Sequence, residues 1–148
     1  MAWKVAGKGI LVAVFIAASA IVHTPTAGAR IMQIAAITTE RTALQFLKDG
    51  EKVCRFSLIY YDNLEPQGIS ARLLRVLFTL GQPDPPVPTV MAELNSTGAK
   101  QKVRRKSTTD ISNRTIDTKR AFYMLEMEVL DHSAQTFGVQ LDLRSDCH

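Results

Sequence analysis

From residue 137 to residue 143 apolar and polar side chains alternate without a break. Phe137, Val139, Leu141 and Leu143 fall on one side, and Gly138, Gln140 and Asp142 on the other. Side chains along a strand point to opposite faces with a period of two, so this segment is committed to a strand with one buried and one wet face. Such a strand needs paired neighbours and a second layer to cover its apolar side.

Other segments repeat the pattern. In 121–130, Tyr123, Leu125, Met127 and Val129 share one face, while Phe122, Met124, Glu126 and Glu128 share the other. With the short polar stretch 131–134 between them, 121–130 and 137–143 read as a hairpin. In 51–61, Cys54, Phe56, Leu58 and Tyr60 alternate with Val53, Arg55, Ser57, Ile59 and Tyr61, in a segment rich in β-branched and aromatic residues. A turn-rich loop follows at 62–68.

Residues 69–80 fit two periods. A strand would group Leu74, Val76, Phe78 and Leu80; a helix would group Leu73, Val76, Leu77 and Leu80, with Gly81 as its stop and Pro83 beyond. The neighbouring strands favour a strand. The proline-rich stretch 84–88 is stiff and extended, an edge or a linker between sheets, and 90–94 is a short strand. At the start, 30–37 reads as a strand. Thr39 can cap a short helix through Lys48, with a strand at 41–47 as the alternative. Residues 95–118 hold few apolar side chains, chiefly Val103, Ile111 and Ile116. That stretch reads as a long polar loop or a loosely held surface hairpin.

Five to eight short strands with turns between them predict a mainly β fold, a small antiparallel β-sandwich with room for one short helix. An immunoglobulin-like arrangement fits the size. The single tryptophan, Trp3, lies in the leader described next, so the buried tryptophan of antibody domains is missing from the mature part.

The first 29 residues have the three parts of a cleavable secretory signal. Lys4 and Lys8 form the positive head, 10–22 is an uncharged apolar core too short to span a bilayer, and Ala27-Gly28-Ala29 is a small-x-small cleavage site. Cleavage after Ala29 leaves 30–148 as a single secreted or periplasmic domain with no transmembrane segment of its own. Cys54 and Cys147 are the two cysteines of the chain. In an exported protein they are expected to form a disulfide. Alternation agrees, since Cys54 shares the parity of Phe56 and Leu58, and Cys147 continues the face of Leu141 and Leu143 if the strand runs that far.

Charge is uneven. The chain carries 18 Lys and Arg against 14 acidic residues. Lys4 and Lys8 leave with the signal, so the mature balance is only 16 against 14. Between residues 95 and 120, however, Lys100, Lys102, Arg104, Arg105, Lys106, Arg114, Lys119 and Arg120 face only Asp110 and Asp117. Five of these cations crowd into 100–106 with no aromatic residue among them. They form a candidate contact for a polyanion, such as an acidic polysaccharide or lipid headgroups, and offer no stacking platform for nucleic acid.

The catalytic signatures are missing. There is no G-x-S-x-G elbow, no phosphate-cradling glycine loop and no spaced His/Cys/Asp/Glu set for a metal. Asp131-His132-Ser133 are consecutive and cannot converge as a triad does. Glu126 and Glu128 resemble a carboxylate pair but read more simply as a solvated strand face. Asn95-Ser96-Thr97 and Asn113-Arg114-Thr115 match the glycosylation acceptor pattern. No cofactor is called for. The expectation is an exported, non-enzymatic binding or assembly module that meets another exported protein or an anionic surface. Its rivals are a secreted inhibitor of a hydrolase and a polyanion-binding surface protein acting through 100–106.

Overall fold

A computed structural model describes residues 29–34, 40–62, 68–81, 84–97, 102–129 and 134–148. The leader through residue 28, Thr39, loop residues 63–67, Pro83, Lys100 and Asp131-His132-Ser133 lie outside the described residues. Among the described residues there are eight strands: β1 (Arg30–Ile34), β2 (Glu40–Ala43), β3 (Lys52–Tyr61), β4 (Ile69–Leu77), β5 (Thr89–Asn95), β6 (Arg104–Thr108), β7 (Ala121–Val129) and β8 (Gln135–Arg144). They form two four-stranded sheets, β1-β8-β3-β6 (sheet A) and β2-β7-β4-β5 (sheet B). Every pairing is antiparallel.

The result is the expected β-sandwich, and its strand order is that of an eight-stranded jelly roll. The immunoglobulin-like order, in which the first strand neighbours the second, is not adopted. No helix occurs among the described residues. Residues 40–43 are strand, and the turn after them buries Leu44 and Leu47.

The core is built from the inward residues of four central strands. Phe56, Leu58 and Tyr60 of β3 and Val139, Leu141 and Leu143 of β8 meet Ile69, Ala71 and Leu73 of β4 and Tyr123, Leu125 and Met127 of β7. The strand reading of 69–80 therefore holds for β4. The expected hairpin of 121–130 with 137–143 does not form: β7 pairs β2 and β4, while β8 pairs β1 and β3. Alternation tells a strand which face to bury but not which partner to take. Of the consecutive connections, only β4 to β5 stays within one sheet. The proline stretch 84–88 lies on that connection and is no linker between sheets.

Two bulges correct the parity expected of β3 and β8. The register of β3 on β8 slips between Val53 and Arg55. Val53 then joins the core, Arg55 turns outward and Cys54 is the extra residue. A second slip, between Ile59 and Tyr60, falls at Gly138, whose φ of 132° suits a residue without a Cβ. It releases Phe137, which is 46% exposed rather than buried with Val139.

The stretch 95–118 is neither a loose loop nor a hairpin. It contains β6, which pairs β3 along the edge of sheet A. Ile111 and Ile116 are buried in the core, and backbone bonds tie Ile116 to Gly50 and Glu51, and Arg114 to Val53.

Each end of the sandwich is closed differently. At one end Cys54 and Cys147 form the expected disulfide, with Cα atoms 5.3 Å apart. β8 stops at Arg144, so Cys147 reaches Cys54 from the bend beyond the strand, not from its inner face. Nearby, Arg30 binds Glu51 through Nε (2.7 Å) and through its terminal nitrogen, and also donates to the Phe46 carbonyl. Burial pushes the Glu51 carboxyl up, but the Arg30 guanidinium and the Lys48 amide outweigh it and hold it below its ordinary value.

At the other end Asp62 is fully buried. Ser96 donates to its carboxylate, the Gly68 amide donates to the same oxygen at 2.8 Å, and the Gly68 and Ile69 amides both reach the Ser96 oxygen. This clamp fixes the start of β4 against the end of β5.

Two consequences are measurable. Replacing both cysteines with alanine removes a cross-link spanning 93 residues of sequence, and should lower stability by up to about 4–5 kcal/mol. That is read as a fall in denaturant midpoint with a steeper slope, because the unfolded chain without its cross-link exposes more surface. At Gly68 a Cβ would lie 2.8 Å from both the Ala134 Cβ and Asp62 Oδ1. Gly68→Ala should therefore cost about 1–3 kcal/mol through overpacking. A wild-type melting temperature for that variant would show that the clamp yields.

Candidate functional site

Strand alternation splits the basic run. Lys100 lies outside the described residues, and Lys102 is exposed just before β6. Within β6, Arg104 and Lys106 turn toward the neighbouring sheet. Arg104 donates to the Thr97 carbonyl at 3.0 Å, and Lys106 Nζ to the Asn95 carbonyl at 2.8 Å. These two cations close the gap between β6 and the end of β5. Arg105 points the other way and is exposed on the outer face of sheet A. The seven-residue run is thus part structural brace and part free surface.

The outer face of sheet A carries more charge than that run suggested. Lys52, Arg55, Arg105 and Arg144 face outward from its strands, against Asp142 as the one carboxylate among the described strand residues of that face. Between them runs a neutral polar row in register, Gln33, Gln140, Ser57 and Ser107, with the two serine hydroxyls 2.8 Å apart.

At the disulfide end this face opens into a shallow recess of about 320 Å³. Arg55, Thr109, Arg114, Asp142, Arg144, His148 and the Cys54–Cys147 bond line it. Asp142 takes Arg144 by two hydrogen bonds, at 3.0 and 2.7 Å, which raises the Arg144 pKa above its ordinary value. Three guanidinium groups and one carboxylate therefore share the recess, and of the three Arg144 holds the carboxylate. Guanidinium forks suit the paired oxygens of carboxylates and phosphates.

Sequence reading missed Arg55, Arg114 and Arg144 as a group. Arg55 and Arg144 were already on wet faces by alternation. Their meeting depends on the β3–β8 register, and Arg114 arrives from the loop stitched to Val53.

The outer face of sheet B is different. A single row across its four strands reads Arg41, Glu126, Arg72, Glu93. Arg41 meets Glu126 at 2.5 Å, and Arg72 meets both Glu126 and Glu93 at 3.4 Å. The Arg41 hydrogen bond, aided by Arg72, lowers the Glu126 pKa despite partial burial. Glu126 is thus held in a charge ladder, and Glu128 stands exposed beside it; their nearness follows from strand alternation.

The remaining sequence marks have plain positions. Asn95 is half-buried in β5, and its side-chain oxygen is shut away from solvent. That suits a glycan poorly. Asn113 is exposed in a turn with φ of 50°. His148 lies 3.3 Å from Asp146, which pairs with Lys52 at 2.7 Å. Among the described residues no group of three His, Cys, Asp or Glu side chains is placed to hold a metal, and no helix is long and apolar enough to cross a membrane. No protein-family model matches the chain, and no curated protein matches it.

The two halves of the basic run should separate by experiment. Lys106→Met removes a charged hydrogen bond between the sheets and should cost about 1–2 kcal/mol in unfolding free energy. Arg105→Gln should leave the thermal midpoint within about 1 °C of wild type, as an exposed surface change does. Equal stability losses in both variants would contradict the division.

Proposed function

We propose that the protein is an exported, non-enzymatic binding module that receives an anionic partner on the outer face of sheet A. The observation that carries this reading is the charge difference between the two sheet faces. Sheet B neutralises its own arginines in a ladder, whereas on sheet A Lys52 pairs with Asp146 and Arg144 with Asp142, and Arg55 and Arg105 face outward with no carboxylate in salt-bridge reach among the described residues. The recess beside the disulfide lies on that face. It offers Arg55 and Arg114 to a carboxylate or phosphate group. Lys102 and Arg105 extend the same field along the β6 edge, so part of the basic run belongs to the partner surface.

Export is supported by the signal-like leader and by the disulfide. The first strand begins at Arg30, the residue after the predicted cleavage site.

A second reading, inhibition of a hydrolase, draws on the β4–β5 connection. Leu80 is 97% exposed there, and Val87 stands out between Pro86 and Pro88. A proline-stiffened loop with apolar tips suits insertion into another protein's cleft.

The test compares wild type, Arg55→Gln with Arg114→Gln, and Lys102→Gln with Arg105→Gln. Each is assayed for binding to an acidic polysaccharide and to phosphatidylglycerol vesicles over a salt series. Binding to one of these probes should fall at least about tenfold in the Arg55/Arg114 variant, with a shallower salt dependence in both variants. Unchanged binding in the Arg55/Arg114 variant removes the recess as the site. Saturable one-to-one binding to a hydrolase, insensitive to salt, would favour the second reading.

A further inference from the structure

The outer face of sheet B is half apolar. Beside the charge ladder, the next rows in register are Ala43, Met124, Leu74 and Val90, then Phe122 and Val76. Leu74 and Val76 are buried yet stand apart from the central core, because they project from the opposite side of β4 to Leu73. Phe78 continues this outer cluster, with its ring centroid 5.2 Å from that of Phe122. Val90 is 45% and Phe78 50% exposed. Leu74 and Val76 form the floor of this face, and Ala43, Val90 and Phe78 are its exposed apolar positions.

The ladder indicates what can pack on them. Across the sheet from β2 to β5 the charges run plus, minus, plus, minus. A half-turn about an axis parallel to the strands, lying between β7 and β4, lays β2 of one copy over β5 of another and β7 over β4. Arg41 then faces Glu93, and Glu126 faces Arg72, twice each by symmetry. The same operation sets the exposed Ala43 against Val90 and brings the half-buried Met124 and Phe122 into the middle of the contact, above Leu74 and Val76, which each copy already covers. An antisymmetric row of charges beside an apolar row is the pattern that a two-fold, self-complementary interface requires.

We propose that the outer face of sheet B is a homodimer interface, on which a second copy of this chain packs face to face. The 29 residues of its four strands, at about 4.8 by 3.4 Å each, give roughly 470 Å² of sheet per copy. Doubled, this falls below the roughly 1,200 Å² at which stable specific interfaces begin, so the dimer should be weak and form in a concentration-dependent equilibrium. The ladder sets orientation, and the apolar rows supply the attraction. The pairing is independent of the anion-binding reading and leaves sheet A outward on both copies.

The experiment is sedimentation velocity on protein purified with its disulfide formed, over a concentration series. Val90→Asp should weaken the dimer at least about tenfold by putting unpaired charge into the apolar row. Arg41→Glu alone, and Glu93→Arg alone, each set like charges opposite each other and should weaken it by about tenfold or more. The double variant restores opposite charges between copies, and its dimer constant should return to within about threefold of wild type.

Within each copy, both swaps still place like charges beside Glu126 or Arg72. Thermal stability of the double variant should therefore remain no better than that of either single. Recovery of the dimer without recovery of stability establishes the two-fold pairing. A monomer at every concentration, a dimer indifferent to Val90→Asp, or a double variant as weak as the singles each overturns it.

Discussion

The inward side chains of β3 and β8 bury against those of β4 and β7, and the rest of the molecule hangs on that contact. Phe56, Leu58, Tyr60, Leu141 and Leu143 come from one layer, and Ile69, Leu73, Tyr123 and Leu125 from the other. Burial on this scale is the main favourable term available to a domain of this size. It is also a non-local term. β3 finds β8, and β4 finds β7, across long stretches of chain, so loop-closure entropy must be met before the core repays it. The cross-link from Cys54 to Cys147 joins strand β3 to the chain just past β8, the pair at the centre of sheet A. It restrains the unfolded chain where the fold most needs two distant segments together.

The bulge at Val53 and Arg55 links this architecture to the proposed site. One extra residue keeps Val53 in the core, brings Cys54 to Cys147 and turns Arg55 out beside Asp142. The disulfide and the cationic recess are products of a single irregularity. The clamp of Asp62, Ser96 and Gly68 secures the opposite end with buried hydrogen bonds instead. Buried polar groups in such a clamp are satisfied by one another and so help specify one arrangement of the loop ends.

The two outer faces divide the work. Sheet A pairs Lys52 and Arg144 with Asp146 and Asp142 and leaves Arg55 and Arg105 facing outward, the charge on which the proposed anionic partner would draw. Sheet B spends nearly all of its charge internally and sets apolar rows beside the ladder. A back-to-back pair through sheet B would carry two cationic faces pointing in opposite directions. Two such faces could join two anionic surfaces, a use of symmetry that needs no further contact.

Alternation in the sequence determined strands at 51–61, 121–130 and 137–143, the wet face of each outside its bulges, and that a sandwich results, while 69–80 fits two periods and β6 reads as loop. The signal-like leader and the pair of cysteines predicted that Cys54 would bond to Cys147. These features follow from side-chain direction and from chemistry local to a few residues. Tertiary structure alone decided that β7 and β8 lie in different sheets, that Arg104 and Lys106 brace β5 while Arg105 stays free, and that Arg55, Arg114 and Arg144 meet. It also decided the Arg41, Glu126, Arg72, Glu93 row. Each of these depends on register between strands distant in sequence. A period of two says which way a side chain points, but it carries no information about which strand lies alongside, or at what offset.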